Sequence, residues 1–161
     1  MTFKELLTKQ INSYKPGWKI PKVLLAIDPG ETTGYSIFKD GELLTNGVID
    51  WNIQVYGYNY LVDIMKKHLP NIVVCENFRL YAAKASALTG SQFNTVKTIG
   101  NIEILCERNN IPIVKQMAHM AKGFCTDDKL KEWGYYKKVN KHSRDSIRHA
   151  TYFLLFSKEV I

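Results

Sequence analysis

The sequence has few of the features that would place it in an oxidising compartment or a membrane. Its three cysteines, Cys75, Cys106 and Cys125, form an odd count with no C-x-x-C pair. That pattern excludes a disulfide framework and a cysteine-based zinc site, and it fits a reducing cytoplasm. No apolar run is longer than five residues, as in Val23–Ile27 and Tyr152–Phe156, whereas a membrane-spanning helix needs about 20. The opening MTFKELLTKQ interrupts its apolar residues with Lys4, Glu5 and Lys9, so no signal peptide is expected. Repeats, low-complexity tracts and Gly/Ser linkers are also missing, and residues 1–161 are expected to form a single domain.

Acidic residues are in the minority. Twenty-two Lys and Arg against 15 Asp and Glu leave a net charge of +7. Between Lys129 and Arg148 lie seven basic residues (Lys129, Lys131, Lys137, Lys138, Lys141, Arg144, Arg148) and two acidic ones (Glu132, Asp145), a local balance of 7 − 2 = +5. Trp133, Tyr135 and Tyr136 are interleaved with them. Such a stretch reads either as a polyanion-binding surface or as a solvated, lysine-rich face.

The apolar pattern predicts a mixed α/β sheet. Thr2-Phe3-Lys4-Glu5 is a capping box, and Phe3, Leu6, Leu7 and Ile11 continue as a helical stripe up to Pro16-Gly17. Val23–Ile27 reads as a buried strand. Residues 34–39 and 42–51 form a hairpin around Asp40-Gly41. Leu61, Ile64, Met65 and Leu69 place a helix before Pro70, and Ile72–Glu76 is a further strand. A long helix through Leu88, Val96, Ile99, Ile102 and Cys106 precedes a strand at Ile113-Val114. A closing helix, expected to open at Ser143, carries Ile147, Ala150, Leu154 and Leu155. The order after the leading helix is β-β-β-α-β-α-β-α.

Acidic residues finish two of the apolar strands. Alternation puts Asp28 on the face of Ala26 and Leu24, and Glu76 on the face of Ile72 and Val74. An ionised carboxylate in that position must be solvated, paired or metal-bound. His142, Asp145 and His149 share one helix face, although Asp145 could instead serve the helix dipole. Were Asp28, Glu76 and Asp145 to converge with His142, they would suit a hard divalent cation, Mg²⁺ or Mn²⁺. Two such ions about 4 Å apart support phosphodiester hydrolysis.

Ala26-Ile27-Asp28-Pro29-Gly30 followed by Thr33-Gly34-Tyr35, Val73-Val74-Cys75-Glu76, and His142-Ser143-Arg144-Asp145 before an apolar helix occur here in that order. Together they resemble the motifs of RuvC-type Holliday-junction resolvases, a branch of the ribonuclease H-like superfamily. The resemblance runs from about Val23 to Phe156. It implies a five-stranded mixed sheet, with residues 1–20 as an N-terminal extension that includes an extra helix. It also implies a Mg²⁺- or Mn²⁺-dependent endonuclease with two ions held by Asp28, Glu76, His142 and Asp145. His142 stands where many members have aspartate and some have histidine. Lys122 falls where the family has a lysine near the scissile phosphate.

The implied substrate is branched DNA, above all four-way junctions. The expected DNA contacts are Phe78, Arg79, Tyr81, Lys137, Lys138, Lys141, Arg144 and Arg148, and Phe78 reads as either a base-stacking or a core side chain. The implied assembly is a homodimer through the helix from about Ala85 to Arg108. There Gly90, Ser91 and Gly100 would equally suit packing on the sheet. No small-molecule cofactor or membrane is implied. The twenty leading residues look like those of a phage-encoded member, acting in the host cytoplasm. A YqgF-type relative acting on structured RNA, or a non-catalytic nucleic-acid-binding relative, is the alternative. Asp28–Gly34 also resembles the phosphate loop of actin-like sugar kinases, but those need two such domains and roughly twice this length.

Overall fold

The computed structural model describes residues 1–78, 90–136 and 140–158. In chain order the elements are α1 (Phe3–Tyr14), β1 (Val23–Asp28), β2 (Thr32–Lys39), β3 (Glu42–Asp50), α2 (Gln54–His68), β4 (Ile72–Asn77), α3 (Gly90–Arg108), β5 (Ile113–Met117), α4 (Ala118–Phe124), α5 (Asp127–Glu132) and α6 (Lys141–Phe156). The strands form one sheet in the order β3-β2-β1-β4-β5. β1 to β3 are an antiparallel meander. β4 and β5 add in parallel on the other side of β1, each reached through a helical crossover.

Local chemistry accounts for the boundaries. Thr2 and Glu5 form the capping box of α1 reciprocally. Asp40 and Gly41 both take positive φ, 50° and 82°, which makes the tight hairpin between β2 and β3. Leu69, expected within the apolar stripe of α2, is instead its left-handed C-cap and is exposed, and Pro70 follows. The closing helix is capped three residues earlier than expected. Asn140 is its N-cap, its side chain accepting from the His142 N–H at 2.8 Å, so Ser143 lies inside the first turn.

Two apolar layers enclose the sheet. Leu24, Ala26, Ile72 and Val74 face Ile147, Ala150, Phe153 and Leu154 of α6, with α1 beside it. Leu25, Ile27, Ile37, Val73 and Cys75 face α2 and α3. Each Leu, Ile, Val or Phe among them that is taken fully out of water stabilises the fold by about 1.5–3 kcal/mol.

Two expectations are corrected here. The short helices α4 and α5 intervene between β5 and α6, where none was anticipated. The aromatics of the basic stretch do not form an open surface. Trp133 is buried in the α6-side core, with its ring centroid 5.1 Å from Phe3, and Tyr135 lies 5.6 Å from both Phe3 and Phe38. They anchor α1 onto the domain. Among the described residues, no helix is long and apolar enough to cross a membrane.

Candidate active site

Asp28 and Glu76 stand at the carboxyl ends of β1 and β4, which are parallel neighbours with Ala26 opposite Val74. Strand alternation turns both carboxylates to the α6 side. There the first nine residues of α6 bring His142, Asp145 and His149 down onto the sheet edge. This approach depends on Gly34 of β2, the register partner of Asp28. A Cβ at Gly34 would lie 1.9 Å from the His142 carbonyl oxygen and 2.5 Å from the Ser143 nitrogen, so only glycine lets the helix start cross so closely. Asn46 of β3 adds a 2.6 Å hydrogen bond to the Ser143 hydroxyl.

The three carboxylates surround one cation position. Lys122, on α4, places Nζ 2.8 Å from Glu76 Oε2, 3.2 Å from Asp145 Oδ2 and 3.5 Å from Asp28 Oδ1. Burial works against the lysine charge, but Asp28, Glu76 and Asp145 outweigh it and hold Lys122 protonated well above its ordinary range. Asp28 and Asp145 are 3% and 1% exposed, so little water is at hand to screen them.

Asp28 and Glu76 titrate as a pair. Burial and the neighbouring Glu76 charge push the Asp28 carboxyl up, opposed by His142 and Lys122. Burial also pushes Glu76 up, yet His149, its coupled neighbour Asp28 and Lys122 together bring it down to about 2. His142 Nδ1 lies 2.7 Å from Asp28 Oδ2. That bond raises the imidazole above its ordinary value despite partial burial. Asp145 is further braced by Arg148, which also pairs with Asp127 and donates to the Cys125 carbonyl at 2.8 Å.

Comparison by sequence finds nothing: no family model matches the chain, and neither does any curated protein. Comparison by structure does. RuvC of Thermus thermophilus in complex with Holliday junction substrate matches with a TM-score of 0.67 at 13% identity, over 83% of this chain and 92% of that one. The yeast mitochondrial Holliday junction resolvase Ydc2 matches at 0.58 and 12%, over 93% and 85%. The fowlpox virus Holliday junction resolvase matches at 0.53 and 14%, over 82% and 97%. The fold is that of the RuvC-type resolvases. Its ribonuclease H-like sheet and flanking helices are those anticipated, with α1 in addition.

Within this resolvase fold, the residues singled out from sequence are placed as follows. Asp28, Glu76, Asp145, His142 and Lys122 come together as described. Lys141 and Phe78 lie close by in chain and space. Lys141 is exposed at the start of α6. Phe78 is half-buried and helps line a cavity of about 250 Å³ beside Glu76, with Pro29, Asn77, Met117 and His119. Arg144 sits 5.2 Å over the Tyr136 ring. Arg148, expected on the DNA face, is turned inward at 12% exposure, engaged with two aspartates. Arg79, Tyr81, Lys137 and Lys138 lie outside the described residues, as do residues 85–89 of the long helix expected from the sequence. Sequence reasoning placed His149 on the right face but gave it no function. Its ring contacts Glu76 directly, and one ligand atom each of Asp28, Glu76 and His149 lies within 4.8 Å of the others.

A divalent metal fits these residues. Three carboxylates and an imidazole are a donor set for Mg²⁺ or Mn²⁺, and the Lys122 ammonium already stands in for a cation among them.

Proposed function

We propose that this chain is a metal-dependent endonuclease that cuts branched DNA, four-way junctions above all, as a homodimer with two Mg²⁺ or Mn²⁺ ions per site. The observation that carries the proposal is the convergence of Asp28, Glu76 and Asp145, from three separate elements, on one cation position. Asp28, Glu76, Asp145 and His142 would hold the ions, which supply an activated water and charge neutralisation at the leaving oxygen. Asp145 is kept in place by Arg148, and the Asn140 cap and Gly34 hold His142 over Asp28. With metal bound, Lys122 is free to turn its ammonium to the scissile phosphate.

A junction needs two cuts in opposed strands, and one site per chain makes a symmetric dimer the economical solution. Phe93, Val96, Gly100 and Ile104 support the choice of surface. They follow one another at helical spacing along α3, and Phe93, Val96 and Ile104 are 54%, 48% and 45% exposed.

The test incubates purified protein and Mg²⁺ with a supercoiled plasmid carrying an extruded cruciform, with linear duplex and with structured RNA. Linear product from the cruciform, mere nicking by a mixed dimer with one Asp28→Asn subunit, and little action on the other two support the proposal. Equal cleavage of cruciform and linear duplex, or preference for RNA, would overturn the junction assignment.

A further inference from the structure

The reading above gives His149 no role, yet this side chain is fully buried with both ring nitrogens engaged. Nε2 lies 2.9 Å from Glu76 Oε2 and Nδ1 lies 3.0 Å from Gln116 Oε1. Gln116 is itself 8% exposed, and on β5 it is the register partner of Glu76 on β4. A carboxylate, an imidazole and an amide from β4, α6 and β5 thus form a continuous chain behind the acidic cluster. Burying an imidazole and an amide is costly without partners. Here each satisfies the other, and the chain ends on Glu76.

The protons define its direction. An ionised carboxylate only accepts, so Nε2 carries a proton. Nδ1 then either donates to the Gln116 carbonyl or, with the amide turned over, accepts from its NH₂. An amide serves in both arrangements, and in both His149 donates to Glu76. Lys122 shares one ammonium among three carboxylates and cannot fix the plane of any of them. His149, by contrast, is bonded to Glu76 alone among the three.

We propose that His149, backed by Gln116, is a positioning residue that presets the Glu76 carboxylate for metal capture. This rests on the metal-dependent reading above. Partners of this kind change metal affinity by about 10- to 100-fold when removed.

The experiment measures Mn²⁺ binding to the full chain by electron paramagnetic resonance. The samples are wild type, His149→Leu, His149→Gln and Gln116→Leu, with circular dichroism as the check on folding. Leucine fills the space without a donor, and glutamine restores an N–H near the Nε2 position. The expected result is a loss of about 10- to 100-fold for His149→Leu, recovery to within several-fold for His149→Gln, and a smaller loss for Gln116→Leu. If His149→Leu binds Mn²⁺ at least as tightly as His149→Gln, the imidazole is only packing and the proposal falls. Should His149→Leu fail to fold, wild-type affinity in Gln116→Leu overturns it just as well. Wild type that binds no Mn²⁺ would instead overturn the metal-dependent reading itself, a result visible before any variant is made.

Discussion

The α carbon of Gly34 faces the carbonyl oxygen of His142 so closely that a single added methyl would lie 1.9 Å from it. Both contact atoms are backbone, so no rotamer change relieves the clash. Gly34→Ala is therefore expected to lift the start of α6 off β2. Overpacking of this kind costs about 1–3 kcal/mol. Urea unfolding should show that loss, and junction cleavage should fall further than stability does, because His142 and Asp145 move away from Asp28. Wild-type cleavage in a folded Gly34→Ala protein would mean that the helix start does not set the site.

Removing single carboxylates should separate cutting from binding. Asp28→Asn, Glu76→Gln and Asp145→Asn each keep shape and delete charge. Cleavage in Mg²⁺ is expected to drop below about 1% of wild type, as it should in EDTA. Junction binding, followed by gel shift, should persist in all three. Asp28→Asn cutting near the wild-type rate would remove Asp28 from the site.

Lys122→Met takes away the internal cation. Metal-free protein should then melt at a lower temperature, since three carboxylates face one another without a counter-charge. Mn²⁺ should bind more tightly than to wild type, because no ammonium has to be displaced. Cleavage should nonetheless slow. An unchanged or weaker Mn²⁺ affinity would show that Lys122 does not occupy the metal position.

His142 gives the site opposite pH responses with and without metal. Its hydrogen bond to Asp28 raises its folded-state value above the ordinary ~6.5. In EDTA, the stabilisation from this pair is complete below about pH 6.5 and is lost as pH rises through the raised folded value. The urea midpoint of wild type should accordingly exceed that of His142→Asn by more at pH 6 than at pH 9. In Mg²⁺ the proton must leave before the imidazole can ligate, so cleavage rises over the same interval. His142→Asp should retain more of its rate on the acid side. Superimposable pH profiles for the two proteins would retire this role.

Lys15, the C-cap of α1, is 6% exposed and donates at 2.7 Å to the carbonyl of Leu154, with Nζ 3.6 Å from the Trp18 ring centroid. The last turn of α6 carries no basic residue of its own. Lys15 thus supplies from α1 the positive charge that a helix C-terminus favours. Lys15→Met is expected to cost about 1–2 kcal/mol by urea unfolding and to leave Mn²⁺ affinity unchanged.

What the sequence made legible follows from the range of its signals. Strand alternation reaches only a few residues, and it sufficed to put Asp28 and Glu76 on one face. The i, i+3 and i+4 spacing put His142, Asp145 and His149 on another. That these faces meet depends on the parallel pairing of β1 with β4 and on the small volume of Gly34, neither of which leaves a local periodic trace. The helices α4 and α5 have seven and six residues, too short for a repeating stripe. Trp133 and Tyr135 looked like surface aromatics because their partner, Phe3, is some 130 residues away in the chain. Arg148 looked like a DNA contact because nothing local announces Asp127 as its counter-ion.

The order of the acidic residues along the chain also bears on how the protein comes into being. Asp28 and Glu76 belong to the first half of the sequence and to neighbouring strands, while Asp145 arrives with α6. As the nascent chain leaves the ribosome, β1 to β4 have the means to pair before α6 has been translated. A chain stalled before Asn140 would offer lysines to nucleic acid but would lack the third carboxylate and the helix that lays it beside the other two. On the proposed function, cutting ability would thus arrive only with α6, and a copy stalled before that helix would be unable to cut.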